Sequence, residues 1–274
     1  MNAAWLFEHS GKRIGVRDFE RALKRLPIKK GDTLFVHAGL RAFGELAPGY
    51  TKAGLCRPLI KTLKKSIGKS GTLVMPTYTY VFCKRRVFDI KKTPSEVGAL
   101  GEFFRKEKGV VRSEHPIFSV AAQGPGAKRM TDVDMDSFGP NSSLARLCDD
   151  RGVVLFFGGA PFSTGTLYHL LEQERGVPYR FMKKFPGVIV RGTKKYKAEA
   201  TFFVRRLRQR VENDVSGLEQ VLRKKGMLRE APVGASRLMA VRAKDFCREG
   251  MRLLERDIYA LAEKSRGKPI LRRR

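Results

Sequence analysis

The sequence predicts an α/β fold, a single domain with a central, partly parallel sheet flanked by helices. Three observations lead there. Short apolar segments alternate along the chain with amphipathic stretches of 10–15 residues, the rhythm of strands joined by covering helices. The best strand candidate, Val153-Val154-Leu155-Phe156-Phe157, is apolar at every position, as expected of a strand covered on both faces. The 274 residues, 42% hydrophobic and 30% charged, suffice for a sizeable core and exclude a disordered chain.

The elements follow in order. Arg17 to Leu26 reads as a short amphipathic helix, and Lys30-Gly31-Asp32 as a turn into the strand Thr33 to His37. Thr51 to Ile67 carries Leu55, Cys56, Leu59, Ile60, Leu63 and Ile67 at helical spacing. Gly68 and Gly71 close that helix, and the strand Thr72 to Met75 stops at Pro76. Ser95 reads as the N-cap of a helix lined by Val97, Leu100, Phe103 and Phe104. Ile117 to Ala122 is a strand, and Ser142 or Ser143 caps a short helix through Cys148. After Val153 to Phe157, ended by Gly158-Gly159, comes a helix from Thr166 to Glu174. Val188 to Val190 and Tyr196 to Val204 form a hairpin around Gly192-Thr193, and helices follow near 217–225 and 244–264. The domain spans residues 1–263, and 264–274 is read as a basic, frayed tail.

Charge narrows the partners. Lys plus Arg total 56 against 27 acids, a net +29. Residues 183–274 are the densest part, with 26 bases and 10 acids. Such a field favours anionic ligands, nucleic acid among them. The nucleic-acid reading rests on charge alone, since neither an aromatic-interleaved RNA-binding motif nor a helix-turn-helix is evident. No apolar run reaches the roughly 20 residues of a membrane span, and the first residues lack the pattern of a secretory signal. Cysteines at 56, 83, 148 and 247 form no CxxC pair, which reads as reduced thiols in a cytoplasmic protein, with no metal site.

Of four histidines, His9 sits in a surface segment. His37 ends a strand, where ligands of α/β sheets bind. His115 precedes another strand, and His169 lies on a helix with Glu172 three residues on, so both side chains share a face. A carboxylate beside an imidazole fixes its tautomer and raises its basicity, as a general base requires. The sequence has neither a Gly-x-Ser-x-Gly elbow nor a phosphate loop ending in Gly-Lys-Ser/Thr.

From Gly31 to Arg180 these segments assemble into an ordered series. It runs Gly31-Asp32-Thr33 with Val36-His37-Ala38-Gly39-Leu40-Arg41, then Gly71 to Thr77, then Phe88-Asp89 with Thr93-Pro94-Ser95 and Gly98. Arg112-Ser113-x-His115-Pro116-x-x-Ser119, Phe138-Gly139-Pro140-x-Ser142, Thr166-x-x-His169-x-x-Glu172 and Pro178-Tyr179-Arg180 complete it. The chain thus resembles the aminoglycoside 3-N-acetyltransferase family, whose fold is distinct from that of GNAT-type enzymes. The resemblance implies acetyl transfer from acetyl-coenzyme A to an amine of an amino sugar, with His169 as general base, Glu172 beside it and no metal. It implies coenzyme binding along His37, Ala38, Gly39, Leu40, Thr77, Arg112, Ser113, His115 and Ser119, with Arg112 at the phosphates. Backbone N–H groups near Thr77 or Gly39 are the candidates for stabilising the developing oxyanion. A homodimer is compatible with it.

Two positions depart from the family pattern: Gly39, where serine is usual, and Ser143, where proline is usual. The basic segment after Arg180 also fits a polycationic acceptor poorly. It favours an anionic or neutral one, such as a nucleotide-linked amino sugar.

Overall fold

A computed structural model describes residues 5–149 and 151–264. The chain opens with a small hairpin, β1 (Phe7–His9) and β2 (Lys12–Ile14), then α1 (Val16–Lys24) and β3 (Thr33–Gly39). β4 (Glu45–Leu46) pairs back onto β1 and leads to α2 (Lys52–Ile67), where the Thr51 hydroxyl accepts the Gly54 N–H at the N-terminus. β5 (Thr72–Pro76), β6 (Phe88–Asp89), α3 (Ala99–Phe104), β7 (Val111–Arg112), β8 (Val120–Gln123), α4 (Ala127–Thr131) and α5 (Ser143–Asp149) follow. Next come β9 (Gly152–Gly158), α6 (Tyr168–Arg175) and the long strands β10 (Arg180–Arg191) and β11 (Lys194–Arg205). The chain continues through β12 (Val211–Asn213), α7 (Ser216–Lys224), β13 (Arg229–Val233), β14 (Ser236–Arg242), α8 (Ala243–Arg256) and β15 (Ala262–Lys264).

The main sheet has seven strands in the order β13-β14-β9-β3-β5-β8-β7. β9, β3 and β5 run parallel at its centre, and the flanking pairs are antiparallel, so the sheet is partly parallel, as expected. Alternation along the central strands sorts their side chains between two cores. Phe35, Val74, Val154 and Phe156 face a core shared with Leu147 of α5, Leu218 of α7 and Phe246 of α8. Leu34, Val36, Leu73, Val153 and Leu155 face the other, with Phe19 of α1, Leu63 of α2 and Leu100 of α3. Helices on both faces explain the continuously apolar central strands.

Four local expectations change. The first hairpin strand begins at Arg180, not Val188, and pairs in register from Arg180↔Arg205 to Arg191↔Lys194. Its early residues are mostly solvent-exposed, so they lack the apolar run that marks a strand. The last helix stops at Arg256, and Lys264 lies in β15, paired with Val211 of β12, so it is not part of a tail. Residues 265–274 of that expected tail lie outside the described residues. Gly98, with φ +73°, precedes α3, while the Ser95 hydroxyl closes a turn on the Val97 N–H. Finally, Cys148 on α5 and Cys247 on α8 form a disulfide, with Cα atoms 6.8 Å apart. They are separated by 99 residues, a distance no spacing motif reports. Cys56 and Cys83 remain free.

Candidate active site

The parallel strands β3 and β9 end side by side, Gly39 against Gly158, and the Gly159 N–H donates to the Gly39 carbonyl at 3.1 Å. The two loops touch there. A Cβ on Gly39 would lie 2.8 Å from the Ala160 nitrogen and 2.9 Å from the Gly159 carbonyl carbon. Glycine at 39 is therefore a packing requirement in this chain, which accounts for the departure from serine. Beyond these strand ends opens a cavity of about 460 Å³ walled by His37, Gly39, Pro76, Tyr78, Thr166 and His169. A second hollow of about 450 Å³ shares Ala38, Gly39, Gly98 and Gly159 with it and adds Leu40 and Arg41. Together they form a continuous slot from the surface to His169.

His169 is the second residue of α6, and its Nδ1 lies 2.6 Å from Glu172 Oε2. Glu172 is fully buried and held by two more groups. The Tyr179 hydroxyl donates to Oε1 at 3.0 Å. Arg180 Nε lies 2.8 Å from Oε2 as an ionic contact, without hydrogen-bond alignment. Donation from Nδ1 leaves the His169 lone pair on Nε2. The ring packs against Tyr168 and Phe138, with centroids at 4.1 and 5.3 Å. Burial outweighs Glu172 and holds the His169 pKa below its ordinary value, so the imidazole is neutral at pH 7. The i,i+3 spacing read in the sequence is this pair.

A third cavity, about 740 Å³, also touches His169 and lies against one face of the β10–β11 hairpin. It shares only His169 and Phe202 with the first. Arg180, Lys183, Arg205, Arg206 and Arg208 line it, and no acidic side chain does so among the described residues.

The sequence profile of the family described as aminoglycoside 3-N-acetyltransferase matches residues 35–255, most of the chain. The chain belongs to this family. It is an N-acetyltransferase with acetyl-coenzyme A as co-substrate. Among curated relatives, aminoglycoside N(3)-acetyltransferase IX of Micromonospora chalcea is 30% identical over 209 residues, covering 68% of this chain and 72% of its own. A crystal structure of the aminoglycoside acetyltransferase AAC(3)-IVa, a histidine-to-alanine variant in complex with a gentamicin, is also similar. It superposes with a TM-score of 0.74 at 25% identity, covering 95% of this chain and 92% of that one. The AAC-IIIb complex with coenzyme A shares the fold, with a TM-score of 0.73 at 24% identity, covering 88% and 96%.

In this acetyltransferase the slot is walled in part by glycines. Gly39, Gly98 and Gly159 keep it open, and Arg41 stands at its outer hollow with no protein partner among the described residues.

The expected coenzyme residues divide into two groups. His37, Ala38, Gly39 and Leu40 line the slot. Burial pushes the His37 pKa down to about 4, and its ring packs on Phe35 and Phe156, so it serves as neutral wall. Thr77, Arg112, Ser113, His115 and Ser119 line neither the slot nor the basic cavity. Arg112 is turned inward, and its guanidinium is engaged by protein acceptors. Its Nε donates to Thr77 Oγ1 and Ser119 Oγ at 3.2 Å each, Nη1 to the Ile90 and Thr93 carbonyls, and Nη2 to the Thr77 carbonyl at 2.8 Å. The Ser113 hydroxyl accepts the Val120 N–H. His115 Nδ1 accepts from Ile117 and Phe118, and burial pushes its pKa down to about 4. The Thr77 N–H is spent on the Ser119 carbonyl at 2.8 Å, which removes it as an oxyanion donor. These residues brace the end of β5 behind the slot.

Sequence reasoning missed Arg41 as a site residue, although it ends the His37 motif, and Arg180, although it ends the Pro178-Tyr179-Arg180 motif. Proximity to the strand end was the available signal for Arg41. For Arg180 nothing local was available, because its partner Glu172 is on another element.

Proposed function

We propose that the protein transfers the acetyl group of acetyl-coenzyme A directly to the amine of an amino sugar, with His169 as general base. The observation that carries this reading is the junction at His169, where the slot and the basic cavity meet on one imidazole. Two reactants entering through the slot and the cavity would meet beside Nε2, and such positioning converts a bimolecular reaction into an effectively unimolecular one.

Acetyl-coenzyme A supplies the acyl group activated as a thioester. Glu172 fixes the Nδ1–H tautomer, so Nε2 is the basic atom. The amine attacks in its neutral form. Nε2 takes the proton that the nitrogen sheds as the C–N bond forms and the C–S bond breaks, then returns it to the departing sulfur. Amide and free thiol leave, and His169 is restored. A base at the point of bond formation spares the attacking nitrogen a full positive charge.

Arg41 is the cation we assign to the coenzyme phosphates, with Ala38, Gly39 and Leu40 beside the pantetheine arm. Arg41→Ala should raise the KM for acetyl-coenzyme A by about 0.5–1.5 kcal/mol, or roughly two- to twelve-fold, with kcat little changed. Each of the two cores draws on distant parts of the chain, Leu6 with Ala240 in one and Phe35 with Leu261 in the other. This supports treating residues 1–263 as one catalytic domain. We place the reaction in the cytoplasm, with its pool of acetyl-coenzyme A. No described helix is long and apolar enough to cross a membrane.

The test is thiol release from acetyl-coenzyme A, followed with a chromogenic disulfide across free, phosphorylated and nucleotide-linked amino sugars and aminoglycosides. Release that requires an amine acceptor is expected. A folded protein that releases no thiol with any of them would overturn the reading.

A further inference from the structure

We propose that the acceptor is a phosphate-bearing amino sugar, held by Lys183, Arg206 and Arg208 in the cavity beside His169. This rests on the acetyltransferase reading above and specifies its substrate class.

The argument begins with which charges are already committed. Arg180 is buried against Glu172, the Phe203 carbonyl and Asn213 Oδ1. Arg205 contacts Glu212 and the Val211 carbonyl. Those contacts also occupy the nearby carboxylates: Glu172 lies among His169, Tyr179 and Arg180, and Glu212 is paired with Arg205. Lys183, Arg206 and Arg208 have no carboxylate partner among the described residues. Arg206 gives Nε to the Pro178 carbonyl at 3.1 Å and keeps both terminal nitrogens.

The second step is the surface that carries these cations. Phe181, Lys183 and Phe185 alternate on β10, so they share one face of the hairpin, opposite Val204, Phe202 and Ala200 of β11. Lys183 Nζ sits 5.2 Å from the Phe185 ring centroid, and the Arg206 guanidinium 5.1 Å from that of Phe181. The rings hold both cations at the cavity without neutralising them. The cavity therefore offers uncompensated positive charge, aromatic faces and the Gln209 amide. Lysine and arginine suit phosphate oxygens, and rings suit a sugar face or a base.

A polycationic acceptor would meet the opposite of what it needs. Its ammonium groups find no free carboxylate in the lining, and like charges oppose entry. At about 740 Å³ the cavity also has room for more than one sugar ring. A phosphate could belong to a simple sugar ester or to a nucleoside diphosphate, and the experiment separates these.

Thiol release by the full-length protein should be compared for glucosamine, glucosamine 6-phosphate, uridine diphosphate glucosamine and gentamicin, together with uridine diphosphate as inhibitor. The phosphorylated acceptors should exceed glucosamine in kcat/KM by ten-fold or more, an advantage that shrinks as salt is added. A gain with the 6-phosphate alone would identify a plain ester. A further gain with the nucleotide sugar, and inhibition by uridine diphosphate competitive with the acceptor, would identify a nucleoside diphosphate. Lys183→Ala/Arg208→Ala should collapse the ratio of phosphorylated to unphosphorylated kcat/KM. Both residues are exposed, so the fold should survive. Equal ratios in the original protein and the variant would overturn the proposal. So would a KM increase confined to acetyl-coenzyme A, which would assign these cations to the coenzyme. Efficient turnover of gentamicin alone would overturn it while leaving the acetyltransferase reading intact. No thiol release with any acceptor would overturn both.

Discussion

His169→Gln should lower kcat by roughly 10²–10⁴-fold, the usual worth of a positioned general base. Glutamine keeps the approximate volume and a polar end beside Glu172, so the fold and the KM for acetyl-coenzyme A should change little. The pH profile supplies the sharper test. In kcat/KM, activity should rise through two ionisations. The upper one belongs to the acceptor amine. The lower belongs to His169, and its midpoint should fall below the ordinary histidine value because burial disfavours the imidazolium more than Glu172 favours it. The variant should keep the upper limb and lose the lower one. Glu172→Gln should cost less in kcat, because it removes the partner that fixes the tautomer but not the base itself. A folded His169→Gln protein with near-normal kcat and an unchanged lower limb would refute the assignment. Lost thermal stability alone would not support it.

Arg112→Leu should unfold the protein more easily without altering how it holds coenzyme. Arg112 is only 9% exposed, and burial lowers its pKa to about 10, so it remains charged at pH 7. It tethers the end of β5 and the loop after β6 through carbonyls of Thr77, Ile90 and Thr93, and the start of β8 through the Ser119 hydroxyl. Leucine would fill most of the space but leave those acceptors unpaired, at a cost of about 3–5 kcal/mol. For a chain of this size the midpoint of thermal unfolding should fall by about 10 °C. The KM for acetyl-coenzyme A, measured at a temperature where the variant is folded, should stay within about two-fold. A stable variant with a strongly raised KM would return Arg112 to the coenzyme site.

Arg112 also marks where sequence reading stops. Its motif was recognisable, but a motif names residue types, not the direction a side chain takes. Whether this guanidinium meets a phosphate or three carbonyls depends on β5, β8 and the loop at Ile90 closing around it, and those elements are up to 35 residues away in sequence. The same limit hid the Cys148–Cys247 disulfide, whose partners meet only when α5 packs on α8. It also hid most of β10. Lys183, Lys184, Pro186 and Gly187 have little strand character of their own, and pairing with β11 makes them a strand.

Local chemistry, by contrast, was legible wherever one element suffices. The apolar runs at Thr33–His37, Thr72–Met75 and Val153–Phe157 determined three central strands, because strands covered on both faces admit few polar residues. Thr51 determined where α2 begins. His169 and Glu172 determined their own pairing, since three residues on a helix place both on one face. The +29 charge was plain in the sequence, but not where it would act. Tertiary structure brought Lys183, Arg206 and Arg208 to the cavity that ends at His169 and left that lining without a free carboxylate. Periodicity and capping act over a few residues and can be read along the chain. The charge of a cavity is the sum over side chains from separate elements, and only their packing assembles it.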